Sequence, residues 1–165
     1  MDLLGTHKVS YESIRRLAIE CYALAKSGKS LLQDSDYEDT EGRTRALFEE
    51  LFSETLLALA IAIRTKFYQG ADHRRTSGFL EDTGTLFKGT SAEDETTPPY
   101  TLKDVCDKII HARAVYLVLE DDFDFTYISL HGEQSFGGKT QTWMLTLTPE
   151  TFEGILGWVD AISDS

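Results

Sequence analysis

Basic residues are scarce in this chain. Sixteen Lys and Arg stand against 28 Asp and Glu among 165 residues, a formal net charge of −12. Nucleic-acid binding draws much of its free energy from counterions released when basic side chains meet phosphates, so this balance argues against a broad nucleic-acid surface and leaves only a local basic site open. The same deficit argues against adhesion to anionic membranes. Long apolar runs are also lacking. The longest, Leu56 to Ile63, ends at Arg64 and falls well short of the roughly 18 residues of a membrane span. Met1-Asp2-Leu3-Leu4-Gly5 shows no basic segment followed by an apolar one, so no signal peptide is expected and a cytoplasmic location is. Cysteine is nearly absent: Cys21 and Cys106 both fall on the apolar side of predicted helices, which predicts buried free thiols in a reducing compartment rather than a disulfide. There is no His-Glu-x-x-His and no Cys-x-x-Cys, and Gly132 to Gly137 does not qualify as a Gly-rich phosphate loop because no helix follows it. Zinc, nucleotide-cofactor and serine-hydrolase chemistry therefore have no support, and no cofactor or metal is expected.

What the chain does have is strong helical periodicity followed by strands. Residues 11–27 repeat apolar side chains at three- and four-residue spacing behind a capping Ser10, with Gly28 as a left-handed terminator. Residues 41–69 form the strongest helical signal. Leu47, Phe48, Leu51 and Phe52 share one side of its first half. Its second half, Leu56 to Ile63, is apolar all round, which predicts a helix surrounded by neighbours at the centre of the core. Residues 70–100 read as a loop pinned by Phe79-Leu80 and Leu86-Phe87, with Ser91 to Pro99 loosely held. Thr101 and Asp104 then open helix 102–112 with a capping-box pattern. Val115 to Leu119, Phe125 to Leu130 and Gln141 to Leu147 are rich in aromatic, branched and Thr residues. Asp121-Asp122 and Gly137-Gly138 supply the turns of a three-stranded antiparallel meander. Thr148, Pro149 and Glu150 open a last helix whose stripe from Phe152 to Ile162 is expected on one sheet face. The predicted class is α+β: a long-helix bundle, then a β-meander and a C-terminal helix. A single domain over 1–165 is expected, with 1–113 mainly helical and 114–165 carrying the meander plus helix.

The candidate chemistry lies at the end of helix 102–112. Asp104, Asp107, Lys108 and His111 fall on the face opposite the apolar stripe. A carboxylate beside an imidazole can orient it and raise its pKa for general acid–base work. A histidine in a last turn equally serves to complement the helix dipole. Residues 60–80 carry a local basic excess in Arg64, Lys66, Arg74 and Arg75. If that end of the long helix packs beside helix 102–112, Arg64 or Arg74 can approach His111, although helix C-termini attract basic residues in any case. Glu120 to Asp124 is acidic enough to suggest a metal loop but lacks the ligand spacing and glycine of a calcium site, so a solvated turn is expected there. In the second strand, Phe125, Tyr127, Ser129 and His131 share one face. Both sheet faces carry apolar groups, so either internal helices or a second subunit could cover the second one.

Cys106-Asp107-Lys108-Ile109-Ile110-His111-Ala112 resembles the signature helix of HEPN-type helical domains, which are common in prokaryotic abortive-infection (phage-defence) and toxin–antitoxin systems. The family motif is an Arg, a polar residue and, several positions on, a His. Asp107 takes the polar position, Lys108 matches a frequent Lys, and His111 matches the His. In active members the Arg and His form a metal-independent ribonuclease site, usually composite across a dimer. Cys106 stands where the Arg belongs, and a thiol cannot supply the fixed charge that steadies a phosphoryl transition state. The match spans about a dozen residues and a preceding long helix, and the β-meander lies outside the usual helical domain. The resemblance implies an interaction or regulatory module that lacks the catalytic pair. Its expected partner is a protein or a second copy of the chain, with binding contributed by Asp104, Lys108, Arg74 and Arg75. One alternative is an endoribonuclease acting through His111, Asp107 and a borrowed Arg64, with RNA as partner. The other is an acidic protein that masks a basic partner. Neither a membrane nor a nucleotide cofactor is expected.

Overall fold

The computed structural model describes residues 8–77, 79, 84–88 and 100–163. Helix α1 (Tyr11–Lys29) starts behind Ser10, whose hydroxyl accepts from the Ser13 N–H at 3.0 Å, and runs into a short π-helical turn, Ser30–Asp34. Gly28 does not terminate it. The glycine is buried within the helix, where a Cβ would lie 2.5 Å from Thr126 Oγ1 and 3.1 Å from the Phe48 ring. Close packing, rather than a left-handed turn, therefore explains this glycine. Helix α2 (Arg43–Tyr68) follows a left-handed Gly42 and stops before Gly70, which has a φ of +106°. The segment expected as a loop contains a 3-10 turn, His73–Thr76, and a strand, β1 (Gly84–Lys88). Its Ser91–Pro99 stretch lies outside the described residues. Helix α3 (Leu102–Ile110), strands β2 (Ala114–Leu119), β3 (Thr126–Phe136) and β4 (Lys139–Leu147), and helix α4 (Pro149–Ser163) complete the chain.

The meander forms as expected, and β1 extends it. The sheet is antiparallel throughout, in the order β1-β4-β3-β2. Gly137 and Gly138, at φ of +56° and +79°, make the two-residue turn between β3 and β4, the geometry that matches the twist of the flanking strands. Period two then assigns the faces. Ile128, Leu130, Trp143, Leu145 and Leu147 point into one continuous core that includes residues of all four helices. The opposite face stays more open: Tyr116 is exposed, and Tyr127, His131 and Met144 are half-buried. Tyr116 meets the His131 ring edge-on at 5.1 Å.

Two expectations about packing are corrected. Helix α4 lies chiefly along α1 rather than on the sheet, through an Arg15–Asp160 ion pair and an edge contact of Tyr11 with Trp158. Helix α2 is not surrounded. Phe48, Phe52, Leu56, Leu59 and Ile63 are buried, whereas Leu47, Leu51, Leu57 and Ile61 are exposed. Packing against α1 and α3 covers one side of a helix, and an all-round apolar composition does not itself bring a third neighbour. No helix among the described residues is long and apolar enough to cross a membrane.

The acidic turn before β3 is organised by one amine. Lys29, only 7% exposed, donates to the carbonyls of Glu120 at 3.0 Å and Asp121 at 3.2 Å, and to that of Phe123. The turn therefore directs its backbone oxygens onto a fixed cation while its side chains stay in solvent. Tyr127 closes it from the sheet by donating to Glu120, a bond that pushes the phenol up to about 12. Removing the amine leaves these carbonyls without their charged donor, so Lys29→Met is expected to cost about 2–3 kcal/mol. Urea unfolding would show this as a lower midpoint at unchanged m-value, and a change within about 0.5 kcal/mol would contradict it.

Candidate functional site

The site forms where α3 meets the free end of the β3–β4 hairpin. A capping box starts α3. Thr101 Oγ1 accepts from the Asp104 N–H at 3.3 Å, while Asp104 Oδ2 accepts from the Thr101 N–H at 2.8 Å and from its hydroxyl at 2.7 Å. The 3-10 turn adds a further cap, because Thr76 Oγ1 accepts from the Leu102 N–H at 3.0 Å. Leu102, Val105, Cys106 and Ile109 bury the inner face. Asp104, Asp107 and Lys108 are left half-buried on the outer one, and exposed His111 sits at the C-cap. Two residues later the Arg113 N–H bonds the His131 carbonyl at 2.8 Å, which swings the chain into β2.

The hairpin supplies the other wall. The Gly137-Gly138 turn sets a register that places Gly132 opposite Trp143 and Gln134 opposite Gln141. The indole occupies the space above Gly132, where a Cβ would lie 2.1 Å from Trp143 Cζ2. Lys108 reaches across from α3, its Nζ 4.6 Å from the centre of the Trp143 ring and 2.9 Å from Gln134 Oε1. This cation–π contact and hydrogen bond fasten hairpin to helix. Between them lies an open cleft of about 720 Å³, within the size range of ligand sites. Tyr100, Asp104, Asp107, Lys108, His111, Glu133, Gln134, Ser135, Gln141 and Trp143 line it.

Arg64 completes the helix side. Its Nε lies 2.5 Å from Asp107 Oδ1, and its Nη2 donates to the Tyr68 hydroxyl at 3.0 Å. The guanidinium also stacks 4.8 Å over the Tyr68 ring. Its Nη1 is buried with no partner, and the side chain is only 14% exposed. Lys103 Nζ approaches the other Asp107 oxygen at 3.4 Å. Both oxygens of Asp107 are thus taken by cations. Among the described residues the His111 ring has no hydrogen bond to a carboxylate, and only its backbone N–H engages Asp107, at the carbonyl, 3.0 Å away.

His111, Asp107, Lys108 and Asp104 therefore share one wall, and Arg64 arrives behind it as the packing of α2 on α3 requires. Arg74 and Arg75 do not join them. Their turn packs on Leu102, at the opposite end of α3 from His111, about 13 Å away along a nine-residue helix. Arg75 instead lines a smaller pocket with Phe79, Trp158 and Ile162. Asp104 is spent on the capping box. Burial pushes the Cys106 thiol far up and Cys21 up to about 12, so neither free thiol offers a thiolate near neutral pH. Sequence reasoning missed Trp143, Gln134 and Gln141. The signal was present, since a two-residue Gly-Gly turn fixes each pairing of β3 with β4 by counting outward. On the outer sheet face, Ser129 Oγ lies 2.9 Å from His131 Nε2. Among the described residues no group of three or more His, Cys, Asp and Glu side chains converges as metal ligands.

Gly132→Val is expected to drive the indole of Trp143 out of its seat, open the cleft floor and cost about 1–3 kcal/mol. A changed near-ultraviolet circular dichroism signal together with a lowered urea midpoint would check this, and unchanged values for both would contradict it. No family model, curated protein or solved structure matches this chain.

Proposed function

We propose that this protein is a non-catalytic, HEPN-like interaction module of the cytoplasm, and that the cleft beside His111 docks a protein partner. One observation carries this reading: Arg64, the guanidinium that reaches the His111 helix, is already committed to Asp107 and Tyr68. A ribonuclease of the kind the resemblance implies needs a guanidinium open to phosphate, with an imidazole beside it. Here the motif position is a buried thiol, the borrowed arginine faces a carboxylate, and among the described residues no carboxylate orients the imidazole. The lining suits a peptide better than a phosphate. Tyr100 and Trp143 provide aromatic surface, and Gln134, Ser135 and Gln141 provide donors and acceptors. Of the three carboxylates, Asp104 is held in the capping box, Asp107 is held by Arg64 and Lys103, and Glu133 is paired with Arg113 through one oxygen. A partner segment with an apolar residue for the rings and a polar or basic one beside Glu133 fits that chemistry.

The contact of Arg64 with Asp107 also favours a second reading. It brings a guanidinium to the turn before His111. If Asp107 releases it, His111 would take the proton from a ribose 2′-hydroxyl as that oxygen attacks the adjacent phosphate to form a 2′,3′-cyclic phosphate, Arg64 would steady the charge, and the 5′-oxygen would leave with a proton taken from water.

Two assays separate these readings. Purified protein incubated with total RNA and a chelator is expected to leave the RNA intact. Peptides selected from a displayed random library are expected to bind, and to lose at least about tenfold in affinity with Lys108→Glu or Glu133→Lys. Chelator-resistant cleavage abolished by His111→Ala, at unchanged folding, would establish the enzyme instead. Peptide binding indifferent to both cleft substitutions would remove the docking role.

A further inference from the structure

One side of α2 is built like an interface. Leu47, Leu51, Glu54, Ala58, Ile61, Thr65 and Tyr68 follow one another at alternating four- and three-residue steps, the spacing that keeps a seam facing a partner helix. Leu57 widens the stripe at its middle. The large side chains of this set are between 42% and 79% exposed, and Ala58 is exposed as well. The opposite side of the same helix packs into the core through Phe48, Leu56, Leu59 and Ile63. The stripe is therefore surplus to folding and runs for about 32 Å. Isolated exposed leucines are ordinary on protein surfaces, but a heptad-spaced row of Leu47, Leu51, Ala58, Ile61 and Tyr68, broken only by Glu54 and Thr65, is not.

Charge indicates what fits it. Residues 34–54, which lead into and form the first half of α2, carry eight acids against two arginines. Residues 60–77, at its other end, carry four basic residues against one acid; Arg64 is paired with Asp107 and Lys66 is bonded to the Val9 carbonyl, which leaves Arg74 and Arg75 as the exposed cations of that end. A partner helix that is basic at one end and acidic at the other, running in the opposite direction, would complement both the stripe and its flanks. A second copy of α2 has that pattern. We propose that the chain self-associates through α2, antiparallel, about a twofold axis near Ala58. Leu47 then faces the Tyr68 end of the partner, Glu50 and Glu54 of one copy lie toward the basic end of the other, and the small Ala58 lets the helices approach closely at the axis. A parallel pair would instead set acidic half against acidic half. The seam shares no residue with the cleft lining, and it reaches that wall only through Tyr68, whose hydroxyl accepts from Arg64.

Sedimentation velocity on the full chain tests this over micromolar to near-millimolar concentrations. A monomer–dimer equilibrium is expected that weakens as salt is raised. Ile61→Glu, on the exposed face and so compatible with folding, is expected to raise the dissociation constant at least about tenfold, with an unchanged circular dichroism spectrum. Orientation is read by oxidation. Ala58→Cys is expected to form an intersubunit disulfide, whereas Leu47→Cys forms one only when mixed with Tyr68→Cys. A chain that stays monomeric throughout, or a dimer indifferent to Ile61→Glu, would overturn the proposal. Ready cross-linking of Leu47→Cys alone would overturn the antiparallel arrangement.

Discussion

Arg64 leaves the last turns of α2 nearly buried and meets Asp107 on α3, and much of the arrangement around the cleft depends on that contact. A guanidinium removed from water must be matched by an acceptor, so deleting Asp107 leaves a nearly buried charge uncompensated at a cost of about 3 kcal/mol, whereas Asp107 is a third exposed and keeps Lys103 when Arg64 is removed. The pair holds the end of the long helix against the middle of the short one. With α3 so placed, its inner stripe closes the core, and its outer side chains stand as one wall facing the β3–β4 hairpin. Lys108 then spans the gap to Trp143. The arginine that could have supplied transition-state charge is thereby the one that positions the helix.

Helix α2 serves two surfaces at once. Its inner side is fixed by α1, by α3 and by the Arg64 contact. Its outer side offers an apolar row with opposite charge at its two ends. A helix clamped along one side presents the other as a rigid strip, which lowers the entropic cost of pairing. The cleft is likewise made from two elements that each have a structural reason to be where they are. The capping box and the Thr76 contact seat α3, and Gly132 seats Trp143.

Local chemistry was legible in the sequence, and long-range packing was not. The Ser10 cap, the Thr101–Asp104 capping box, the stop at Gly70 and the Gly137-Gly138 turn depend on neighbours within a few residues, and each lies where residue type and spacing put it. Gly28 has the composition of a helix stop, yet its cause is a close approach by Thr126, 98 positions away. The strand at Gly84–Lys88 is short and surrounded by turn-forming residues, and it exists by pairing with β4. Apolar residues at Leu47, Leu51, Leu57 and Ile61 read as core because hydrophobicity reports a preference for burial, not the supply of a partner. The candidate site was half legible. Asp107, Lys108 and His111 share a helix face by simple periodicity. That Asp107 is neutralised by Arg64 depends on how two helices cross.

The central claim is that Arg64 serves the docking of α2 on α3 through Asp107 and is not held in reserve for phosphate. A double-mutant cycle on stability tests it most directly, with Arg64→Met, Asp107→Asn and the pair measured by urea unfolding. Each single change is expected to destabilise, and the double to cost less than their sum, with a coupling of about 1–3 kcal/mol. Additive effects, with no coupling between the two residues, would contradict it.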